Sequence, residues 1–360
     1  MATTLVGPTD FTPYRTSNHN YSYCEITPLY IGQFKEQIVD YSSTKKVQTR
    51  RNHGSALVGG AVEPFAVGVS GGKAPKTGVP AGQASAMLDV PVPRGYQHID
   101  LRYAAGASGY APGTFFESSF IKRFEESSSF FMDYWSPALD APSLESNVWA
   151  DGGSSDNTLL TGLLQRQVSS IVIFMNSGTP MKPAEDWNVH TDPTLTTSIS
   201  SELAFYFGVE PEDYKSATDR VVNYEQSQVF ASEEWAPFVD GMQKAQSKGK
   251  GTVYTSKLVT VKNDHWGIQG GFEVTLTVVY LGRSFEWEAA LPEELKEVMV
   301  PEDPAAAADA SETISKGPFK HFPHYATTGG EINAEKANAL ADLCGYVVLE
   351  HEDLLREVLA

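Results

Sequence analysis

The chain has 360 residues, with 27 Lys and Arg against 45 Asp and Glu, and a formal net charge of −18 at pH 7. This balance excludes a general nucleic-acid binder and removes any unspecific attraction to anionic membranes. A hydrophobic fraction of 41% with 11% aromatic residues is ordinary for a well-cored globular protein, long enough for one large domain or two average ones.

Two cysteines, Cys24 and Cys344, argue against a disulfide scaffold and read as packed thiols. There is no apolar run of about 18 residues that would predict a membrane-spanning helix. Met1 to Arg15 lacks the basic-then-apolar pattern of a secretory signal.

In chain order, the first fifty residues read as extended and loop-like. Pro8, Pro13 and Pro28 break helices, and Tyr21 to Ile31 has strand character. Lys45, Lys46, Arg50 and Arg51 form a basic patch best read as a solvated loop. Gly68-Val69-Ser70-Gly71-Gly72 fits the nucleophile-elbow pattern, in which a serine stands on a strained turn between strand and helix. The sequence after it argues otherwise. Pro75, Pro80, Pro91 and Pro93 break up Lys73 to Arg94, so no helix can begin there to supply its N-terminal amides.

From Thr114 a capping-box pattern opens a helical reading. Phe116, Phe120 and Phe124 share one face, expected to point into the core. Pro137 and Pro142 mark loop before Asp151-Gly152-Gly153. Asp-Gly-Gly predicts a sharp turn, with glycine supplying positive φ and room for close backbone approach. A short helical piece at Leu159 to Leu164 and a strand run at Val168 to Phe174 follow, and Ile171 to Phe174 reads as fully buried. The segment places a carboxylate at a sheet rim, a common address for chemistry in open α/β folds. Most Asp-Gly pairs, however, only turn the chain.

Beyond Pro180, Met181 to Pro193 reads as loop and Thr197 to Gly208 as a helix with Leu203 and Phe207 inward. Thr252 to Val261 and Phe272 to Leu281 read as paired strands. The second alternates, with Phe272, Val274, Leu276, Val278 and Tyr280 on one face. Between them, His265 and Trp266 are expected on a surface turn. Pro301 to Gly317 is low in complexity and expected to be a mobile loop. His321 and His324 flank a proline, which prevents a helical metal pair, and no metal or other cofactor is expected. Asn333 to Cys344 predicts an N-capped amphipathic helix carrying Leu340 and Leu343, and Glu352 to Leu359 a second helix.

Three stretches together resemble the catalytic domain of the cytosolic phospholipase A2 and lysophospholipase enzymes, within the patatin-like lipid acyl hydrolases. They are Cys24-Glu25-Ile26-Thr27-Pro28-Leu29-Tyr30-Ile31-Gly32; Asp151-Gly152-Gly153 with Asn157, Leu163, Leu164 and Ile171 to Phe174; and Phe322-Pro323-His324-Tyr325 with Asn338 to Leu343. They stand in the family's order, while the region between about 182 and 320 matches loosely. The resemblance implies a single α/β domain over residues 1–360, with a central mostly parallel or mixed sheet flanked by helices.

It also implies ester hydrolysis by a Ser–Asp dyad without histidine. Asp151 would be the base, Gly152 and Gly153 would shape its turn, and Asn157 would help to hold the loop. In the family the nucleophile precedes the Glu-x-(Ser/Thr)-Pro stretch, whereas Ser70 follows it. The chain is therefore expected to match the C-terminal part of the domain, to carry the aspartate, and to lack the nucleophile and the glycine-rich oxyanion segment. Two alternatives stand beside this reading: a lipid-binding or scaffold pseudoenzyme, and a complete enzyme with Ser70 as nucleophile. The implied partner is a phospholipid or lysophospholipid, with membrane-surface contact left open, and the expected location is cytoplasmic.

Overall fold

The computed structural model describes residues 1–8, 22–40, 55–62, 99–109, 130–134, 145–195, 197–209, 227–299, 317–325 and 332–360. The chain divides into two compact units. The described part of the first lies within Met1–Gly162, and the second comprises Leu163–Ala217 and Tyr224–Ala360. Ser70, the basic patch at 45–51, the phenylalanine stripe at 116–124 and the alanine-rich stretch at 301–316 lie outside the described residues.

The first unit is built on a six-stranded sheet. Its strands are β1 (Ala2–Pro8), β2 (Ser22–Ile26), β3 (Ile31–Asp40), β4 (Ser55–Val62), β5 (Phe130–Tyr134) and β6 (Glu145–Asp151), in the order β4-β3-β2-β1-β6-β5. Every neighbouring pair is antiparallel. β1 lies between β2 and β6, and Ala2 through Val6 are all buried, polar Thr3 and Thr4 included. Helix α1 (Leu101–Ser108) packs on β1 and β6 through Ala104 and Ala107, whose small side chains permit close approach.

The β2–β3 connection is a tight turn at Thr27 to Tyr30. Thr27 N–H donates to Tyr30 O at 2.9 Å, and Thr27 Oγ1 accepts from Tyr30 N–H at 2.9 Å. Gly32 has φ +139°, and an added Cβ would fall 2.2 Å from Gly60 O on β4, so only glycine fits there.

The second unit centres on a three-stranded sheet in the order β7-β9-β8: β7 (Ser170–Met175), β8 (Thr252–Val259) and β9 (Glu273–Tyr280). β8 and β9 pair antiparallel along their whole length, as their alternation predicts. Val274, Leu276, Val278 and Tyr280 are buried on one face. Thr277 and Val279 are buried on the other, because β9 is the central strand. β7 joins β9 in parallel, with Ser170 opposite Thr275 and Met175 opposite Tyr280.

The remaining helices of this unit are α2 (Leu160–Gln165, which begins in the first unit), α3 (Ser201–Tyr206), α4 (Trp235–Gln246), α5 (Phe285–Ala290), α6 (Glu293–Met299), α7 (Ala334–Glu350) and α8 (Glu352–Leu359). α4 packs on β8 and α8 on β7. One core joins Val253, Val279, Trp287, Phe322, Leu343, Val347 and Leu355. Phe207 anchors an aromatic group, with its ring centroid 5.5 Å from Phe230, 5.4 Å from Trp235 and 5.1 Å from Phe238. Inside the second unit, Arg283 and Glu288 form a buried two-point ion pair at 2.7 and 2.5 Å.

The architecture is mixed α/β, with sheets flanked by helices. Among the described residues β7–β9 is the one parallel pair, so the strands are mostly antiparallel rather than mostly parallel. Asn333 caps α7 by accepting from Lys336 N–H at 2.9 Å, and the helix runs on to Glu350, beyond the predicted end at Cys344.

Other expectations are corrected. Phe174 is 61% exposed because β7 is an edge strand with only one face fully covered. Trp266 is buried, its N–H bonded to Asn263 Oδ1 and its carbonyl to Gln165 Nε2, so the connection between β8 and β9 folds inward. Cys24 is buried, which pushes its thiol pKa up, whereas Cys344 lies on the exposed side of α7.

Gly241 of α4 faces Tyr254 of β8. An added Cβ would stand 2.1 Å from Tyr254 Cζ, and that ring is already edge-on to Phe238 at 5.4 Å. Gly241→Ala is expected to lower stability by about 1 kcal/mol or more in chemical denaturation, because overpacking outweighs the gain in helix propensity.

Candidate functional site

Asp151 is the last residue of β6, and Gly152–Ser154 form one 3-10 turn directly after it. The strand fixes its backbone. Thr3 of β1 stands opposite Asp151 and Thr4 opposite Ala150. The half-buried carboxylate caps the turn, with Oδ1 accepting from Gly153 N–H at 2.8 Å. Among the described residues no donor reaches Oδ2. One oxygen therefore sets the side-chain rotamer, while among the described residues the other is left to a proton or a donor.

Both glycines are required for space rather than for φ, since neither has positive φ. A Cβ on Gly152 would fall 2.6 Å from Ala2 O of β1, and one on Gly153 would fall 2.0 Å from Asn157 Oδ1. The structure thus brings Asp151, Gly152, Gly153 and Asn157 into one loop, with Asn157 lying over Gly153. Ser155 and Asp156 both donate their backbone N–H to Gly152 O, at 2.9 and 2.8 Å.

The hydroxyls around this turn were not singled out from the sequence. Thr4 Oγ1–H donates to Asp151 O at 2.9 Å and lies 2.7 Å from Ser155 Oγ. Thr3 Oγ1–H points at Ala150 O at 3.0 Å and Ala107 O at 3.3 Å. Asp156 is a buried carboxylate that was also missed. Its Oδ1 accepts from Thr158 N–H at 2.8 Å and Thr158 Oγ1 at 2.9 Å, and its Oδ2 accepts from Thr161 N–H at 2.6 Å. It ties the loop to the start of α2. The signal was present as Asp-x-Thr ahead of a leucine run, the pattern of a side chain bonding backbone just downstream.

The Glu25-x-Thr27-Pro28 stretch is the β2–β3 hairpin. Glu25 is buried and accepts from Tyr23 Oη at 3.1 Å and from the Tyr30 hydroxyl. It stands opposite Ala2 on the other side of β1 from Asp151, so β1 brings two of the three family-like stretches together.

The third stretch belongs to the second unit. His324 is buried, and its Nδ1 lies 2.8 Å from Ser177 O, just past the carboxyl end of β7. A carbonyl only accepts, so Nδ1 carries the proton. Burial pushes the imidazole pKa down to about 4 against the opposing pull of that bond. Tyr325, next to it, has a buried hydroxyl with no hydrogen-bond partner among the described residues, and burial pushes its pKa up to about 12. Nearby, Tyr280 Oη–H donates to Thr179 O at 2.6 Å and accepts from Ser200 N–H at 3.0 Å. Among the described residues no group of three or more His, Cys, Asp or Glu is placed to hold a metal ion. Among them, too, no helix is long and apolar enough to cross a membrane.

No family model, curated protein or solved structure matches this chain.

Two outcomes are expected. Gly152→Ala must separate β1 from the Asp151 turn and is expected to lower stability by about 1–3 kcal/mol, read by thermal denaturation. For His324 the folded pKa lies below the ordinary histidine value, so between about pH 6.5 and 4 the unfolded chain binds the extra proton. The stabilisation is complete above pH 6.5 and is lost as pH falls toward 4, by about 3 kcal/mol at most. Denaturation midpoints measured across that window should fall with acid, and His324→Gln should flatten the slope.

Proposed function

We propose that this chain is a lipid acyl hydrolase of the phospholipase A2 or lysophospholipase type, with a patatin-like catalytic domain, and that it supplies the aspartate of a Ser–Asp dyad. The supporting observation is the state of Asp151. It stands at a strand end, with one carboxylate oxygen fixed by Gly153 N–H and no donor on the other among the described residues. A base in this mechanism needs such an oxygen. It takes the serine proton as the hydroxyl attacks the ester carbonyl and returns a proton to the leaving alcohol. It then draws a proton from the water that hydrolyses the acyl-enzyme. Backbone amides would hold the oxyanion. The substrate in this reading is a glycerophospholipid or lysophospholipid ester, met at a membrane or micelle surface.

One observation favours a second reading, a lipid-binding or scaffold protein without turnover. The Gly153 bond is an ordinary N-cap, a structural role that explains Asp151 without chemistry. Asp151→Asn separates the two, because asparagine caps as well as aspartate but is no base. A fluorophosphonate probe and lysophosphatidylcholine hydrolysis would be read on the chain and on a version extended upstream, with the labelled serine mapped by mass spectrometry. The dyad reading expects labelling of a serine outside residues 1–360 and a loss of at least about a thousandfold in Asp151→Asn, at unchanged thermal stability. An adduct on Ser70 would place both dyad members in this chain. Absence of adduct and turnover in both forms would leave the scaffold reading.

A further inference from the structure

We propose that Thr4 and Ser155 are positioning residues for the Asp151 carboxylate, through a closed circuit of hydrogen bonds that joins β1 to the turn. The inference rests on the reading of Asp151 as a base, but the circuit itself stands on geometry.

Thr4 is fully buried on a strand paired on both sides, so its hydroxyl has a fixed origin. That hydroxyl has one proton. Asp151 O, 2.9 Å away, can only accept, so the proton points there. The 2.7 Å contact with Ser155 Oγ must then run the other way, with Ser155 donating to Thr4. Ser155 also donates its backbone N–H to Gly152 O at 2.9 Å. The circuit therefore passes from Thr4 to the Asp151 carbonyl, along the peptide to Gly152, across to Ser155 and back to Thr4.

Three constraints meet on one residue. The β1–β6 register, with Thr3 opposite Asp151, fixes its Cα. The Thr4 hydroxyl, aided by Thr3 on Ala150 O at 3.0 Å, fixes the peptide planes on either side of that Cα. Gly153 N–H at 2.8 Å fixes the carboxylate. With the first oxygen held, the direction of Oδ2 follows. Neither hydroxyl touches the carboxylate, so both act through the backbone. A dyad base misplaced by a fraction of an ångström loses its proton-transfer geometry, which is the cost the circuit avoids.

The Gly153 amide reports the circuit directly, whether or not the protein turns over ester. In 15N-labelled protein, Thr4→Val and Ser155→Ala are expected to raise Gly153 amide exchange about tenfold, with Thr4→Ser returning it near the wild-type rate. Ser155 is only half-buried, so its variant keeps the measurement open if Thr4→Val does not fold. In the upstream-extended version, ester hydrolysis should fall in kcat with KM unchanged in the same variants and recover in Thr4→Ser. Unchanged Gly153 protection in Ser155→Ala and in any folded Thr4→Val would overturn the circuit, as would loss of protection that Thr4→Ser fails to restore. Raised exchange in these variants, with no ester hydrolysis by the chain or by its upstream-extended version, would leave the positioning in place and remove the hydrolase reading.

Discussion

The antiparallel pairing of β1 with β6 is the constraint on which the first unit depends. It joins residues 147 positions apart, as in the Thr3 hydroxyl on the Ala150 carbonyl, and it makes β1 a central strand buried from Ala2 to Val6. A central strand cannot shift register without turning every side chain to the opposite face. Thr3 and Thr4 enforce the same register, because two buried hydroxyls without partners would be costly and the flanking carbonyls of Asp151 supply the acceptors. The hairpin at Glu25 and the turn at Asp151 are thereby held on either side of one strand. Glycine at 152 is a consequence of that packing, since Ala2 O leaves no room for a side chain.

The second unit is held differently. Its parallel pair β7–β9 brings two carboxyl strand ends together, and the groups beyond them are satisfied by unlike means. Tyr280 bridges Thr179 and Ser200, His324 is neutral and anchored to a carbonyl, and Arg283 is closed by Glu288. The Tyr325 hydroxyl, buried beside His324, finds no partner among the described residues. Buried polar groups in such numbers are stable only when their partners are fixed, and through His324 this end of the sheet loses stability as pH falls below about 6.5.

Elements whose signal is local were legible. The alternation of β9, the Asn333 cap, the helix at Glu352–Leu359 and the inward Leu203 and Phe207 each follow from a few neighbouring residues. Errors arose where a neighbour in space decides. Phe174 sits in a run that looks buried, but an edge strand covers only one face fully. Trp266 sits in a polar turn, yet Gln165 and Asn263 draw it in. β6 was missed because Glu145–Asp151 mixes polar, small and apolar residues without alternation and becomes a strand by pairing on both edges. The candidate site divides in the same way. Asp151, Gly152, Gly153 and Asn157 share one stretch of sequence and could be named together, whereas Thr4 lies on a strand that nothing local connects to them.

The sequence by itself determined the mixed α/β character, the turn that carries the aspartate and the terminal helices. Each of these is written in periodicity, capping residues or glycine placement over spans shorter than a helix or a hairpin. Only the tertiary structure decided that the strands run mostly antiparallel, that β1 backs the Asp151 turn, and that two threonines hold its flanking carbonyls. Those facts depend on which distant backbone edge completes a sheet, a choice made by burial and hydrogen bonding across the whole chain rather than by neighbours along it.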